Sequence, residues 1–317
     1  MIRSTLAAAL LTAGFAASAL AAGPMVKTQA PGFYRMMLGD FEVTALSDGT
    51  VGLPMSQLLQ NPAGKAASEQ ALARAFLKDP VETSVNGYLV NTGAKLVLID
   101  SGAGGLFGPT LGKLLANLKA AGYTPEQVDE VYITHMHPDH VGGLSVNGKP
   151  VFANAVIRGD QKDADFWLSQ KNLDAAPADN KGFFQGAMAS LNPYVAAGRY
   201  KAFSGNTELV AGVRAQVSYG HTPGHSFYVM ESKGEKLVLW GDVMHAAAVQ
   251  FMSPAVTIAF DTDNKSAYEQ RNKAYADAAA QGYWVAATHL AFPGLGKLRA
   301  AEGGAYVFVP ANYRSAP

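Results

Sequence analysis

The sequence has no cysteine among its 317 residues. That excludes a thiolate nucleophile, a thiolate metal ligand and a disulfide framework. It has no surplus of charge either, with 25 Lys and Arg against 25 Asp and Glu. No basic run or stripe breaks that balance, so nucleic acid is not an expected partner. Beyond the first two dozen residues no apolar run is long enough to span a bilayer. Low-complexity tracts and short-period repeats are also missing.

The one long apolar run is N-terminal. "MIRSTLAAALLTAGFAASALAAG" carries a single positive residue, Arg3, then an Ala- and Leu-rich stretch, then Ala19-Leu20-Ala21. This is the pattern of an export signal with an A-x-A cleavage site, cut after Ala21. It predicts residues 1–21 as signal peptide and 22–317 as a single domain, periplasmic or secreted in a bacterium. Loss of Arg3 leaves one more acid than base. The remaining chain of about 295 residues can bury a large core.

Patterning predicts a mixed α/β chain. Residues 40–51, "DFEVTALSDGTV", alternate and end in Asp48-Gly49, a strand-and-turn signal. Residues 86–100 read as two strands joined at Asn91-Thr92-Gly93. Leu111, Leu114, Leu115 and Leu118 recur at helical spacing before Gly122. Strands are expected at 129–134, 213–220 and 283–288, and a hairpin at 226–242 turned at Lys233-Gly234. A helix is expected over 263–282, capped by Asp263 or Asn264 and stopped by Gly282. Residues 60–70 and 171–182 read as surface loops.

What the sequence has in excess is histidine in one place. "YITHMHPDHVGG" puts three of seven histidines within six positions. His135 and His137 are two apart on an extended chain, so their rings share a side and can reach one metal. Asp139 and His140 can share a second metal only if the chain leaves strand geometry after His137. Pro138 supports that departure, since it lacks an N–H and fixes φ. His135, His221, Asp242 and His289 each follow a predicted strand, the usual place for site residues. His221 is the natural third ligand of the first metal, and His289 suits the second. Asp242 can bridge, having two carboxylate oxygens. Two divalent ions about 3.5–4 Å apart hold a shared water whose pKa falls toward about 7, giving a bridging hydroxide as nucleophile.

These residues resemble the metallo-β-lactamase superfamily. The matching motifs are "THMHPDHVGG", "HTPGH" at 221–225, Gly241-Asp242 and "ATHL" around His289, with "LVLIDSGAGG" similar to the family's first motif. The resemblance implies an αββα sandwich, with two mixed sheets face to face and metals at one edge. It implies that Asp100 orients the ligands. Lactamases of the main clinical group use a cysteine ligand, and diiron oxidoreductases carry Glu where His137 stands, so a zinc-type hydrolase is implied. "LGDFEVTALSDGTVGLP", "LFGPTLGKLLANLKAAGY" and "KGFFQGAMASLNPYV" are similar to the methyl parathion hydrolase branch, which includes lactone and aryl-ester hydrolases.

That branch implies Phe107, Trp167 and Phe183 at the substrate mouth. The organophosphate specialists have arginine at Leu58, leucine at His245, threonine at Ile258 and leucine at Phe260, and a loop one residue longer before Lys181. The bulkier His245 and Phe260 imply a tighter pocket for a planar ester or lactone, with weak phosphotriester turnover. His225 is expected to hydrogen-bond backbone or ligands. His245 either lines the pocket, donating to a substrate oxygen, or supports the ligands from behind. Catalysis would rest on Asp139, orienting the hydroxide, and Asp242. The expected cofactors are two divalent ions, zinc by default, with manganese, cobalt and iron suited to the same donors. Other readings are a phosphotriesterase, an acyl-homoserine-lactone hydrolase, or an exported metal-binding protein without catalysis. Relatives suggest a homodimer.

Overall fold

The computed structural model describes residues 23–315. The expected signal peptide, residues 1–21, lies outside them. Residues 23–30 carry no regular secondary structure. From Pro31 onward the strands form two large sheets. The first is six-stranded, in the order Phe33–Leu38, Phe41–Leu53, Val81–Asn91, Leu96–Ile99, Glu130–Tyr132, Val156–Arg158. Its last three strands run parallel and the others antiparallel. The second is seven-stranded, in the order Thr207–Val210, Val213–Val217, Ser226–Ser232, Glu235–Leu239, Trp284–Ala286, Leu295–Ala300, Tyr306–Pro310. Its one parallel pair joins Glu235–Leu239 to Trp284–Ala286.

Side chains alternate across each strand, and the alternation sorts the core into layers. Val97, Ile99 and Tyr132 of the first sheet meet Tyr228, Met230, Leu237 and Leu239 of the second. Leu96, Leu98 and Val131 point the other way, onto Leu114, Leu118, Leu191 and Tyr194. Phe227, Val229 and Val238 turn outward onto Ala274, Tyr275 and Ala278 of helix Asn264–Gln281. The strands in the middle therefore have two apolar faces, and helices cover the outsides. This is the αββα sandwich. Each Val, Leu or Ile buried this way contributes about 1.5–3 kcal/mol.

Two ties lock the sheets together beneath one edge. Tyr228 stacks on Tyr132 with ring centroids 5.4 Å apart, and its hydroxyl donates to the Ile133 carbonyl at 2.7 Å. The chain around 287–290 hangs from strand Val81–Asn91: Asn86 N–H donates to the Thr288 carbonyl, Asn86 Nδ2 to that of Leu290, and the Tyr88 hydroxyl to that of Ala287. Histidine-bearing loops from different sheets are thereby held at one edge.

Several local expectations are corrected. Asp48-Gly49 is not a turn; strand Phe41–Leu53 runs through it with a register shift between Ser47 and Gly49. The shift frees the Asp48 carboxylate, which is buried and accepts from the Ala103, Gly112 and Leu114 N–H groups at 2.9–3.0 Å. Those bonds hold the 103–113 segment open, so the expected leucine helix begins only at Leu114. Residues 60–70 are not loop throughout, since Lys65–Arg74 is a helix. Within 171–182 the chain completes helix Gln170–Ala175, passes a short 3-10 turn and starts helix Lys181–Ala196. These surface helices look like loops in the sequence because their polar composition carries little apolar periodicity. The helix Asn264–Gln281, with Asp263 capping Ser266 N–H and Gly282 left-handed, and the hairpin at Lys233-Gly234 agree with expectation.

Asp48→Ala would strand three backbone donors. Each unsatisfied donor costs about 1–3 kcal/mol, so the unfolding free energy is expected to fall by about 3 kcal/mol or more. Urea unfolding checks this; an unchanged midpoint would show that the N–H groups find other partners.

Candidate metal centre

Strand Glu130–Tyr132 runs into Thr134 and His135, and the extended stretch ends at His137. Pro138 then starts a single helical turn, Pro138–Val141, with His137 as its N-cap. Proline suits that first position because its missing N–H would have no partner there. The turn carries Asp139 and His140 out of strand geometry and around the same point. His221, Asp242 and His289 follow the ends of strands Val213–Val217, Glu235–Leu239 and Trp284–Ala286 by three or four residues. Gly241 has φ of 54°, and a Cβ there would lie 2.8 Å from His225 Nε2 and 3.0 Å from Thr134 Cβ. Only glycine brings Asp242 so close under the histidine loop.

The result is two overlapping donor groups. His135, His137, His221 and Asp242 form one, and Asp139, His140, Asp242 and His289 the other. Within each, the donor atoms lie within 4.8 Å of one another. Asp242 belongs to both. Its Oδ1 is 3.2 Å from His140 Nε2, and its Oδ2 is 3.6, 3.4 and 3.1 Å from Nε2 of His135, His221 and His289. Asp139 Oδ2 is 3.5 Å from both His140 and His289. Donors 2.0–2.1 Å from a tetrahedral ion are about 3.3–3.4 Å apart, so this spacing fits metal ions.

Proton accounting strengthens the fit. His140 Nδ1 is 2.8 Å from the Asp100 carboxylate, His221 Nδ1 is 2.7 Å from Asp261, and His289 Nδ1 is 2.9 Å from the Ser84 carbonyl. Those acceptors carry no hydrogen, so each Nδ1 donates. Thr134 Oγ1 gives its proton to Asp100 and therefore accepts from His135 Nδ1 at 3.1 Å. Four Nε2 lone pairs are thus turned inward, toward carboxylates that are themselves acceptors. His135 Nε2, His140 Nε2 and Asp242 Oδ1 are buried without any hydrogen-bond partner. Lone pairs facing one another in a dry site need a cation between them.

The electrostatics show the same demand for positive charge: without a metal the carboxylates draw protons onto His140 and His221, and a bound cation would take the place of those protons. Burial, then neighbouring imidazoles, holds His135 and His137 well below the usual imidazole range. Burial also pushes His140 and His221 down, but the carboxylates around them prevail, leaving His140 well above that range and His221 at about 9. Burial raises the Asp242 carboxyl, yet the surrounding histidines, His140 first, bring it well below the carboxylate range.

The remaining expected residues fall in distinct places. Asp100, at φ 57°, is a left-handed non-glycine residue holding Thr134 N–H, Thr134 Oγ1 and His140. Such backbone strain collects at functional sites. His225 uses both nitrogens on backbone, Nδ1 toward the Ser218 carbonyl and Nε2 from Asp242 N–H. His245 lies 3.1 Å from Asp242 through Nε2 and stacks on His289 at 4.8 Å, while its Nδ1 has no partner. Phe107 is exposed and Phe183 half-buried; with Leu106, Pro138, Gly186 and Ala189 they line an outer cavity of about 500 Å³. Leu58, Trp167, His245, Ile258 and Phe260 do not line it. Trp167 is buried in the core with its ring 5.1 Å from His137, and Ile258 is fully buried in a cluster with Leu58 and Phe260. Phe260 alone of that cluster reaches toward Phe183 and His245, at 6.1 and 6.0 Å.

Three supporting residues were missed. Asp261 and Asp163 sit in ordinary loop and helix-start contexts, and Gln250, whose side chain accepts from the His245 and Ala246 N–H groups, has no motif. Their partners lie between 3 and 61 residues away, and no sequence motif marks them.

A model of the metallo-β-lactamase superfamily matches residues 80–280. The chain belongs to the metallo-β-lactamase superfamily. Among solved superfamily structures, one described as hydrolase AbOPH is 38% identical, with a TM-score of 0.86 over 91% of this chain and all of that one. AidC, a dizinc quorum-quenching lactonase, is 28% identical, with a TM-score of 0.80 over 90% of this chain and 99% of AidC. The N-acyl homoserine lactonase of Bacillus cereus is 29% identical over 40% of this chain and only 42% of that enzyme. One from a Bacillus species is 27% identical over 56% and 71%.

Asp242 is the donor common to both groups. Asp242→Ala is expected to reduce bound metal from two ions per chain to one or none, by elemental analysis after dialysis. Retention of two ions would show that the groups are independent.

Proposed function

We propose that this protein is a dinuclear metal-dependent hydrolase of lactones and aryl esters. The observation that carries this reading is the convergence of seven buried or half-buried donors whose lone pairs face inward around Asp242. Imidazole and carboxylate donors without thiolate suit zinc, and the likeness to a dizinc lactonase supports that ion. Two divalent ions bound here supply a water ionised near neutral pH and a Lewis acid for the substrate oxygen.

The chain's own residues do the rest. Asp242, 2% exposed at its side chain, belongs to both groups, with Oδ2 near His135, His221 and His289 and Oδ1 near His140, and so ties their separation. Asp139 is the more open carboxylate, at 20%. Beside His140 and His289 and partly open to solvent, it is suited to orient the attacking water and accept its proton. Asp100, Asp261 and the Ser84 carbonyl hold the rings of His140, His221 and His289 in one tautomer. Leu106, Phe107 and Phe183 give the outer cavity an apolar wall, and no Lys or Arg lines it. That wall favours a neutral, apolar substrate over an anionic one. Phe260, 6.1 Å from Phe183 and 6.0 Å from His245, adds bulk between that wall and the donors, which supports a flat carbonyl centre over a tetrahedral phosphotriester.

Acyl-homoserine lactones are the second reading, favoured by the named lactonase relatives. A panel of dihydrocoumarin, phenyl acetate, N-hexanoyl-homoserine lactone and a diaryl-free phosphotriester separates the readings. The expected order places dihydrocoumarin or phenyl acetate highest in kcat/KM. A phosphotriester at the top would overturn it. Asp139→Asn is expected to lower kcat by about 10²-fold or more.

A further inference from the structure

The helix Gln161–Trp167 touches no substrate cavity, yet it grips the three-histidine group from behind. Asp163, 1% exposed, stands at its third position. One carboxylate oxygen accepts from Met136 N–H at 2.9 Å and from the Thr222 hydroxyl at 3.0 Å; the other accepts from Gly224 N–H at 2.6 Å. Met136 lies between His135 and His137. Thr222 follows His221, and Gly224 precedes His225. One buried carboxylate therefore joins a loop leaving the first sheet to a loop leaving the second. The approach is close: a Cβ on Gly224 would lie 2.6 Å from Asp163 N and 2.9 Å from Asp163 Cβ. The N-cap of this helix, Asp160, accepts from the Tyr219 hydroxyl at 3.0 Å, and its last residue, Trp167, has its ring edge-on to His137. None of these contacts reaches Asp139, His140 or His289.

We infer that Asp163 is a positioning residue that sets the spacing of His135, His137 and His221, and so controls metal affinity at that group and not at its neighbour. The inference rests on the two-metal reading above. A carboxylate takes all three donors because it has no hydrogen of its own. Asparagine has the same shape but turns an NH2 toward at least one of them. Supporting groups behind ligands typically change metal affinity by about 10–100-fold.

Metal titration by calorimetry on the chain without residues 1–21 tests this, with zinc as probe. Wild type is expected to bind two ions. Asp163→Asn is expected to keep one step unchanged and weaken the other about 10–100-fold. In a His137→Ala background the Asp163→Asn effect should vanish, and in a His289→Ala background it should persist in full. Thr222→Val removes one of the three bonds and should weaken the same step by a smaller factor, even if Asp163→Asn folds poorly. Equal weakening of both steps, or no change in either, would overturn the inference while leaving the two-metal reading intact. A wild-type chain that binds no zinc would overturn both.

Discussion

The structure depends on one electrostatic conflict. Four imidazoles are locked by outward Nδ1–H bonds, so their Nε2 lone pairs point at the Asp242 and Asp139 carboxylates. Acceptor faces acceptor, in a pocket with almost no water access. Such an arrangement is costly unless positive charge occupies the centre. The fold accepts that cost because the groups enforcing it are themselves well satisfied: Asp100 by three partners, Asp261 by His221 and Ile258 N–H, Ser84 through its carbonyl.

The sandwich explains how loops far apart in sequence can enforce one geometry. Donors come from both sheets, so their spacing is only as precise as the packing between sheets. That interface is filled by Tyr132, Tyr228 and the aliphatic inner faces, and Tyr228 also bonds to the Ile133 carbonyl, two residues before His135. Buried Arg271 serves the opposite side. It donates to the carbonyls of Val243, Pro254 and Val256, joining the Asp242 loop to the segment that carries Ile258 and Phe260. Core packing and site geometry are therefore one mechanical system.

Much of this was legible in the sequence, for physical reasons. Strand-end placement of His135, His221, Asp242 and His289 is visible because periodicity locates strands and the donors follow them directly. Pro138 announced the turn that brings Asp139 and His140 round. The supporting network was not legible. Asp163, Asp261 and Gln250 act through contacts set by tertiary folding, and their local sequences look like caps and loops. Asp48 was misread for the same reason: Asp-Gly signals a turn locally, but three distant N–H groups recruit the carboxylate and make it a bulge. Trp167, expected at the mouth, and Ile258, expected in the pocket, are buried in core clusters, because apolar composition cannot say which face of a buried layer meets solvent.

The central claim is that two cations share Asp242. Crystals grown with zinc and measured across the zinc absorption edge test it most directly. The account predicts two anomalous peaks about 3.5–4 Å apart, one beside His135, His137 and His221, the other beside Asp139, His140 and His289, with Asp242 between. A single peak, or peaks away from Asp242, would contradict it.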